Sequence, residues 1–350
     1  MRRSLLEILA DPVSRDAFDL TPSEVDGEDI VSGELRSSSG ATYPIVDAIP
    51  RFVRTEDEGQ RQTQSSFGYK WTKRDSFGSP GMREELHAWL IERYGFGSRD
   101  EMSAYFGSRR RTLDAGCGAG LAASAYLSDD WSRDGAEWVG VDISQAIDVA
   151  HELLGRFPRT HFVQGDVMQL PFRSESFDLI ISEGVLHHTP STERAFKALV
   201  GLLAPGGEIM FYVYRRKAPI REFTDDYIRQ QLAFLTPDEA WDALRPLTRL
   251  GQALAELEAE VVVPEDVPLL GITAGRYDVQ RLIYWHVAKL FWNSKMTFEE
   301  NNHLNFDWYA PTYAWRHDEH EIRGWCADEG LAITRFDVHD AGFTVRAVKR

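Results

Sequence analysis

Cysteine is scarce in this 350-residue chain: Cys117 and Cys326 are the only two, far apart and in unlike surroundings. That argues against a disulfide framework and for a reducing compartment. No apolar run approaches the roughly 20 residues that a membrane-spanning helix needs. The opening Met1-Arg2-Arg3-Ser4-Leu5-Leu6 is basic and then apolar, but Glu7 and Asp11 interrupt it before a signal-peptide core forms. Positive charge is also in deficit, with 39 Lys and Arg against 55 Asp and Glu and a formal net charge of -16. Proteins that neutralise nucleic-acid phosphates normally show a basic face. Here the candidates are Arg109-Arg110-Arg111 and Arg215-Arg216-Lys217, and both adjoin predicted strands, where solvated charges are common. Internal repeats and low-complexity tracts are missing too. The expectation is a cytoplasmic globular protein whose partner is a small molecule rather than nucleic acid or a membrane.

What is present is organised. Residues 1–54 read as a small unit: a helix over Ser4 to Ala10, turn-rich acidic sequence, then brief strands at Ile30-Val31, Leu35-Arg36 and Ala41 to Val46. The unit has too few apolar residues for a strong core of its own, so it is expected to pack on the rest of the chain. Residues 55–83 read as a polar linker that ends in an aromatic knot, Phe67-Gly68-Tyr69-Lys70-Trp71. Over 84–214 strands and helices alternate. Strands are expected at Thr112 to Ala115, Trp138 to Asp142, His161 to Gln164, Phe177 to Ser182 and Glu208 to Tyr214, with helices at Leu121 to Leu127 and Glu193 to Leu203. Short apolar strands separated by amphipathic helices predict a parallel sheet covered on both faces. Residues 215–318 break the alternation. They read as mainly helical, with Pro246 dividing one helix into two and an extended acidic piece at Val261 to Glu265. Residues 319–350 return to helix and strands.

The strongest motif is Leu113-Asp114-Ala115-Gly116-Cys117-Gly118-Ala119-Gly120, directly after a strand. Glycines there let the backbone turn tightly and approach a ligand that a side chain would block. Asp142 closes the next strand, where a carboxylate can accept from both ribose hydroxyls. Asp166 and Val167 follow the third strand, where a carboxylate can accept from an adenine amino group. No Lys follows the glycines as a P-loop requires.

These residues resemble class I S-adenosylmethionine (SAM)-dependent methyltransferases. Asp114 to Gly120 is similar to their first motif, Asp142 to their ribose-binding acid and Asp166 to their adenine-side acid. The run Phe177 to His188 is similar to the fourth strand and its loop, and Leu202-Leu203-Ala204-Pro205-Gly206-Gly207 to the turn before the fifth. The resemblance covers about residues 84–214 and resumes near 320. It implies an α/β fold: a Rossmann-like class I methyltransferase sheet with helices on both faces, a small N-terminal α+β domain and a mainly helical inserted cap. It implies SAM as cofactor, held by Asp114, Gly116, Cys117, Gly118, Gly120, Asp142, Ile143, Asp166, Val167 and Glu183. The N-terminal unit resembles the Trm112-like domain through Leu5 to Val13 and Tyr43 to Pro50. Asp11 and Ser14 stand where that family often has zinc cysteines, so no metal is expected.

Methyl transfer from a sulfonium asks the protein chiefly to align nucleophile, methyl and sulfur. Tyr69 or Trp71 could lie over the sulfonium by cation-π attraction. His187 and His188, after the fourth strand, are candidate bases. Near residue 300 aromatic side chains interleave with Asn, His and Arg, which suggests a seat for a polar small molecule. The substrate candidates are Tyr214, Arg215, Trp292, Asn305, Trp308, Tyr309, Tyr313, Arg316 and His317. Three alternatives stand beside methylation of a metabolite: SAM spent by cyclisation or aminocarboxypropyl transfer, modification of RNA or protein, and a non-catalytic partner acting through the N-terminal unit.

Overall fold

The computed structural model describes residues 1–53, 57–73, 79–128, 131–132 and 135–350. Residues 54–56, at the start of the expected linker, and 74–78, after the aromatic knot, lie outside them.

The chain begins with a single 3-10 turn, Arg3–Glu7, where a helix is expected. Four antiparallel strands follow, adjacent in chain order: β1 (Phe18–Asp26), β2 (Asp29–Ser37), β3 (Thr42–Val46) and β4 (Ile49–Pro50). β1 occupies the stretch read as turns. Phe18 is its single buried side chain, so it carries no period-2 signal, and pairing along β2 holds it in place. Leu5, Leu9, Leu35 and Ile45 are buried in one continuous core with the main sheet. Backbone bonds seal that junction: Ala10 N–H donates to Pro171 O at 2.9 Å, Arg173 N–H to Ile8 O at 2.8 Å and Phe52 N–H to Gln164 O at 2.8 Å. Asp11 organises its own turn, its carboxylate accepting from Val13 N–H at 2.8 Å and Ser14 N–H at 2.9 Å.

The sequence called linker is largely helix. α1 (Glu58–Thr72) starts at an Asp57 cap that accepts from Gln60 N–H at 2.7 Å. Its residues EGQRQTQSSFGYKWT show no apolar stripe, which is why periodicity misses it. Polar side chains hold it instead. Gln62 bonds Ala310 O and Thr312, and Gln64 bonds Ile143 O, so one helix ties the C-terminal ends of the sheet strands to residues beyond 300. α2 (Pro80–Tyr94) and α3 (Arg99–Gly107) follow.

The central elements are β5 (Arg111–Ala115), β6 (Glu137–Asp142), α4 (Ala146–Leu154), β7 (Thr160–Gln164), β8 (Phe177–Glu183), α5 (Thr192–Val200) and β9 (Leu203–Tyr214). Leu121 to Leu127, expected to be helix, holds one 3-10 turn at Ala123–Ala125. There the Ser124 hydroxyl donates to Leu121 O, the kind of local bond that competes with a helix. Between β9 and the last elements lie α6 (Pro219–Leu232), α7 (Pro237–Glu256), the hairpin β10 (Glu260–Val263) with β11 (Gly275–Asp278), α8 (Val279–His286) and α9 (Phe298–Tyr309). Pro246 does not divide α7. It is exposed, so the carbonyl it leaves unbonded faces water. α10 (Glu319–Asp328), β12 (Leu331–Val338) and β13 (Gly342–Lys349) end the chain.

The main sheet has seven strands in the order β12-β13-β9-β8-β5-β6-β7. The five strands from β9 to β7 are parallel, while β13 runs antiparallel to both β9 and β12. The fold is α/β and Rossmann-like. Strand order reverses between β5 and β8, and in open sheets of this kind ligands bind beyond the carboxyl ends at such a switch. Tyr212 and Tyr214, at that end of β9, enter a second core with Trp241, Leu244, Phe306 and Trp308. The helices after β9 therefore sit over the switch point. Among the described residues no helix is long and apolar enough to cross a membrane.

Candidate active site

A cavity of about 400 Å³ lies at the switch point and runs from the glycine loop to the helices above it. The loop can take this shape only with glycine. Gly116 has φ +88°, and a Cβ there would stand 2.4 Å from the Val185 side chain. Gly118 has φ +54°, and its Cβ would meet the Trp71 indole at 2.9 Å. Gly120 instead faces Leu154 of α4 and serves packing rather than the cavity. The Cys117 thiol lines the wall, pushed well up in pKa by burial.

Asp142 is buried and fixed on both oxygens, accepting from Gly118 N–H at 2.9 Å and from the Ser144 N–H and hydroxyl at 2.8 and 2.6 Å. Ile143 and Val167 line the wall beside Asp142 and Asp166. Asp166 accepts from Met168 N–H at 2.8 Å and from Gln60 of α1. Glu183 pairs with Arg93 at 2.9 Å and accepts from the Tyr94 hydroxyl at 2.5 Å.

This end of the cavity is short of positive charge. Burial pushes Asp114 up to about 7, with Asp142 and Glu183 adding repulsion against the opposing hydrogen bond from Tyr126. Burial also raises Asp142, Asp166 and Glu183, the last despite Arg93. Desolvated carboxylates facing one space favour a ligand that brings hydrogen-bond donors and a cation. A ribose, an adenine amino group and a sulfonium with its ammonium meet that description, so the residues present fit SAM.

The opposite end is aromatic and basic. Tyr212, Tyr214, Tyr284, Trp285 and Trp308 line it together with Lys217, Arg221, Lys289 and Asp307. Tyr214 and Trp308 pack in a tilted pair with ring centroids 4.5 Å apart. Lys217 was read as part of a solvated basic run, but its side chain turns inward and donates to Asp340 O at 2.5 Å and Ala341 O at 2.7 Å. Burial holds it down to about 7.

The two histidines differ. His188 lines the cavity, and its Nδ1 lies 2.6 Å from Tyr313 O. A carbonyl can only accept, so Nδ1 carries the proton and Nε2 keeps a lone pair. Burial lowers His188 to about 4, so it is neutral at physiological pH. His187 does not line the cavity. It is fully buried, its ring centroid lies 3.6 Å from that of Tyr214 in a tilted pair, and burial drives its pKa well down.

The remaining expected residues are dispersed. Trp71 covers the glycine loop. Tyr69 points the other way, its hydroxyl donating to Asp238 and its ring packing on Phe306. Asn305 is a structural brace, bonding Phe291 N–H and O and Thr248 within the helices. The Tyr309 hydroxyl donates to Asp225 and accepts from Lys289 N–H, outside the cavity wall. Tyr313 and Arg316 border a separate recess of about 320 Å³, where Arg316 is occupied by Glu222 and Asp226. His317 bonds Thr192, Arg215 is exposed, and Trp292 packs near Phe298. Tyr69 and these seven, with Gly120 and His187, do not line the cavity. The sequence reading missed Gln60, Lys70, Lys217, Arg221, Lys289 and Asp307. A signal existed for Lys289: a lone lysine in the apolar run Val287-Ala288-Lys289-Leu290-Phe291.

Residues 113–211 match the family model described as a methyltransferase domain, which covers the strands and loops carrying Asp114, Asp142, Asp166 and Glu183. The phthiotriol/phenolphthiotriol dimycocerosates methyltransferase of Mycobacterium leprae is 31% identical over 132 residues, 38% of this chain and 48% of that one. The probable tRNA methyltransferase 9B of Mus musculus is 46% identical over 61 residues, 17% of this chain and 14% of that one. The chain thus spans about half or less of the curated relatives it matches. A solved structure of 1,6-didemethyltoxoflavin-N1-methyltransferase from Burkholderia thailandensis, with bound 1,6-didemethyltoxoflavin and S-adenosylhomocysteine, has 13% identity and a TM-score of 0.43. It covers 94% of this chain and 98% of its own.

Proposed function

We propose that this chain is a SAM-dependent methyltransferase acting on a polar small molecule held beneath the helices that follow β9. The observation that carries the reading is continuity: a carboxylate-lined end at the switch point opens directly into an aromatic end within one cavity. When bound, SAM supplies a methyl group already activated by the positive sulfur. Asp142 and Asp166 would hold the ribose and the adenine, and Asp114 and Glu183 would face the cationic centres. Trp71 would close the glycine loop against water. Alignment is the main demand, with reacting atoms about 3 to 3.5 Å apart. His188 Nε2, an acceptor directed by the Tyr313 carbonyl, is the group placed to take a proton where the acceptor atom must lose one.

A small molecule is favoured over nucleic acid because the basic runs are largely spent. Arg109 and Arg111 pair with Glu208 and Glu137, Arg216 with Glu321, and Lys217 turns inward. The Trm112-like reading of residues 1–54 makes that unit a support: it braces the main sheet next to the Asp166 loop through Phe52 and Arg51.

The test is calorimetric titration with SAM and S-adenosylhomocysteine, followed by mass analysis of turnover products. Saturable binding and a product heavier than its substrate by one CH₂ are expected. Failure of the folded protein to bind either compound would sink the reading, and a cyclised or aminocarboxypropylated product would redirect it.

A further inference from the structure

The aromatic end of the cavity holds four cations, and their partners can be accounted for one by one. Arg221, 1% exposed, donates to Asp225 at 2.7 Å. Asp225 is engaged further, accepting from Trp308 Nε1 at 2.9 Å and the Tyr309 hydroxyl at 2.8 Å. Lys70 pairs with Asp307 at 2.5 Å. Lys217 and Lys289 have no carboxylate within ion-pair distance among the described residues. Their ammonium groups rest on backbone carbonyls: Lys217 on Asp340 O and Ala341 O, Lys289 on Leu304 O at 2.9 Å. Each Nζ has three donors, so both keep hydrogen-bonding capacity to spare. The nearby carboxylates make their close ion pairs elsewhere, Glu222 with Arg316 and Asp307 with Lys70, while Asp307 acts on Lys289 only at longer range.

Both lysines are partly buried with no carboxylate at ion-pair distance among the described residues, and a ligand that brings negative charge offsets the cost of desolvating them. Flat walls lie beside them. Lys289 Nζ stands 4.9 Å from the Trp308 ring centroid, and Lys217 Nζ stands 5.7 and 5.9 Å from those of Trp285 and Trp308.

We infer that this end of the cavity seats the anionic group, carboxylate or phosphate, of a flat aromatic substrate, with Lys217 and Lys289 as its ligands. The inference rests on the reading of the acidic end as the seat of the methyl donor. Burial lowers Lys217 to about 7 and Lys289 to about 8, and an anion seated beside them would favour their charged forms.

The experiment uses the full chain saturated with S-adenosylhomocysteine and three probes of one shape: naphthalene-2-carboxylate, 2-naphthyl phosphate and naphthalene-2-carboxamide. Binding is read by calorimetry and by tryptophan fluorescence. At least one acid should bind about tenfold or more tighter than the neutral amide, as charge-assisted bonds to two ammonium groups require. The acid that wins distinguishes carboxylate from phosphate. Lys217→Met and Lys289→Met should each reduce the preference while S-adenosylhomocysteine affinity stays within about twofold. Equal binding of all three probes, or binding of none to protein that takes S-adenosylhomocysteine, overturns the inference. So does a preference that survives both substitutions. Loss of S-adenosylhomocysteine affinity in the lysine variants also overturns it, by assigning the lysines to the donor. A wild type that fails to bind S-adenosylhomocysteine refutes the underlying reading instead. If a variant does not fold, the wild-type ratio still decides.

Discussion

The two ends of the cavity have opposite chemistry and opposite origins. The acidic end is assembled from strand termini: Asp114, Asp142, Asp166 and Glu183 each end or follow a parallel strand, and the sheet's register brings them together. The basic end is assembled from side chains on α1, α6, α8 and α9 and the loops between them, with no shared register. Sheet pairing fixes one end to within a residue. Helix packing and individual hydrogen bonds fix the other. The difference teaches where sequence reading works: it succeeds when function is written at positions that secondary structure itself aligns.

The comparison is tested most severely by Asp142→Ala. Asp142 holds Gly118 N–H and both donors of Ser144, so its loss frees the glycine loop and would remove the proposed ribose contact. Calorimetry should show at least about a hundredfold loss of SAM affinity, as expected for charge-assisted bonds. Probe binding at the basic end should fall less.

Asp114 gives the pH signature of the acidic end. Its pKa in the free protein is about 7, and a cationic ligand favours its charged form. SAM affinity should therefore rise with pH through about 7 and then level off, with Asp114→Asn losing that rise. The sign for stability is opposite. The folded state holds this proton more tightly than the unfolded chain does, so stability declines as pH climbs from about 4 to about 7. Asp114→Asn should raise the stability of the free protein at pH 8 by roughly 2–4 kcal/mol in denaturant titrations. A variant that binds SAM as the wild type does would break the picture of an end built to receive a cation.

Asn305→Ala probes the helices alone. It removes bonds to Thr248 and Phe291 from a buried site and should cost about 1–3 kcal/mol of stability. S-adenosylhomocysteine affinity should hardly change, and a large drop would show that the two ends are coupled. Tyr313→Phe is expected to do least. It deletes an exposed bond to Asp57, worth less than about 1 kcal/mol in a melting experiment, with catalytic rates intact.

Legibility followed the same divide. The glycine loop and the acids at the ends of β5 to β8 were readable because local patterning places them, and Asp114, Asp142, Asp166 and Glu183 all line the cavity. α1 was read as linker because its stabilising contacts are made by Gln62, Gln64 and Lys70 to residues roughly 80 to 250 positions away, which no local window contains. β1 was missed for the same reason, since its partner strand rather than its own sequence secures it. The aromatic cluster near residue 300 was noticed, but its composition could not separate Trp308, which lines the cavity, from Asn305 one turn of helix away, which braces the core.

By itself the sequence determined the α/β alternation, the glycine turn and the carboxylates that follow the strands, because backbone periodicity and chain order suffice to align them. Only the tertiary structure decided which of the two neighbouring histidines reaches the cavity, that α1 spans both ends, and that Lys217 and Lys289 line it with no carboxylate at ion-pair distance among the described residues. The physical reason is that charge balance in a buried space depends on every group sharing that space, and those groups come from distant parts of the chain.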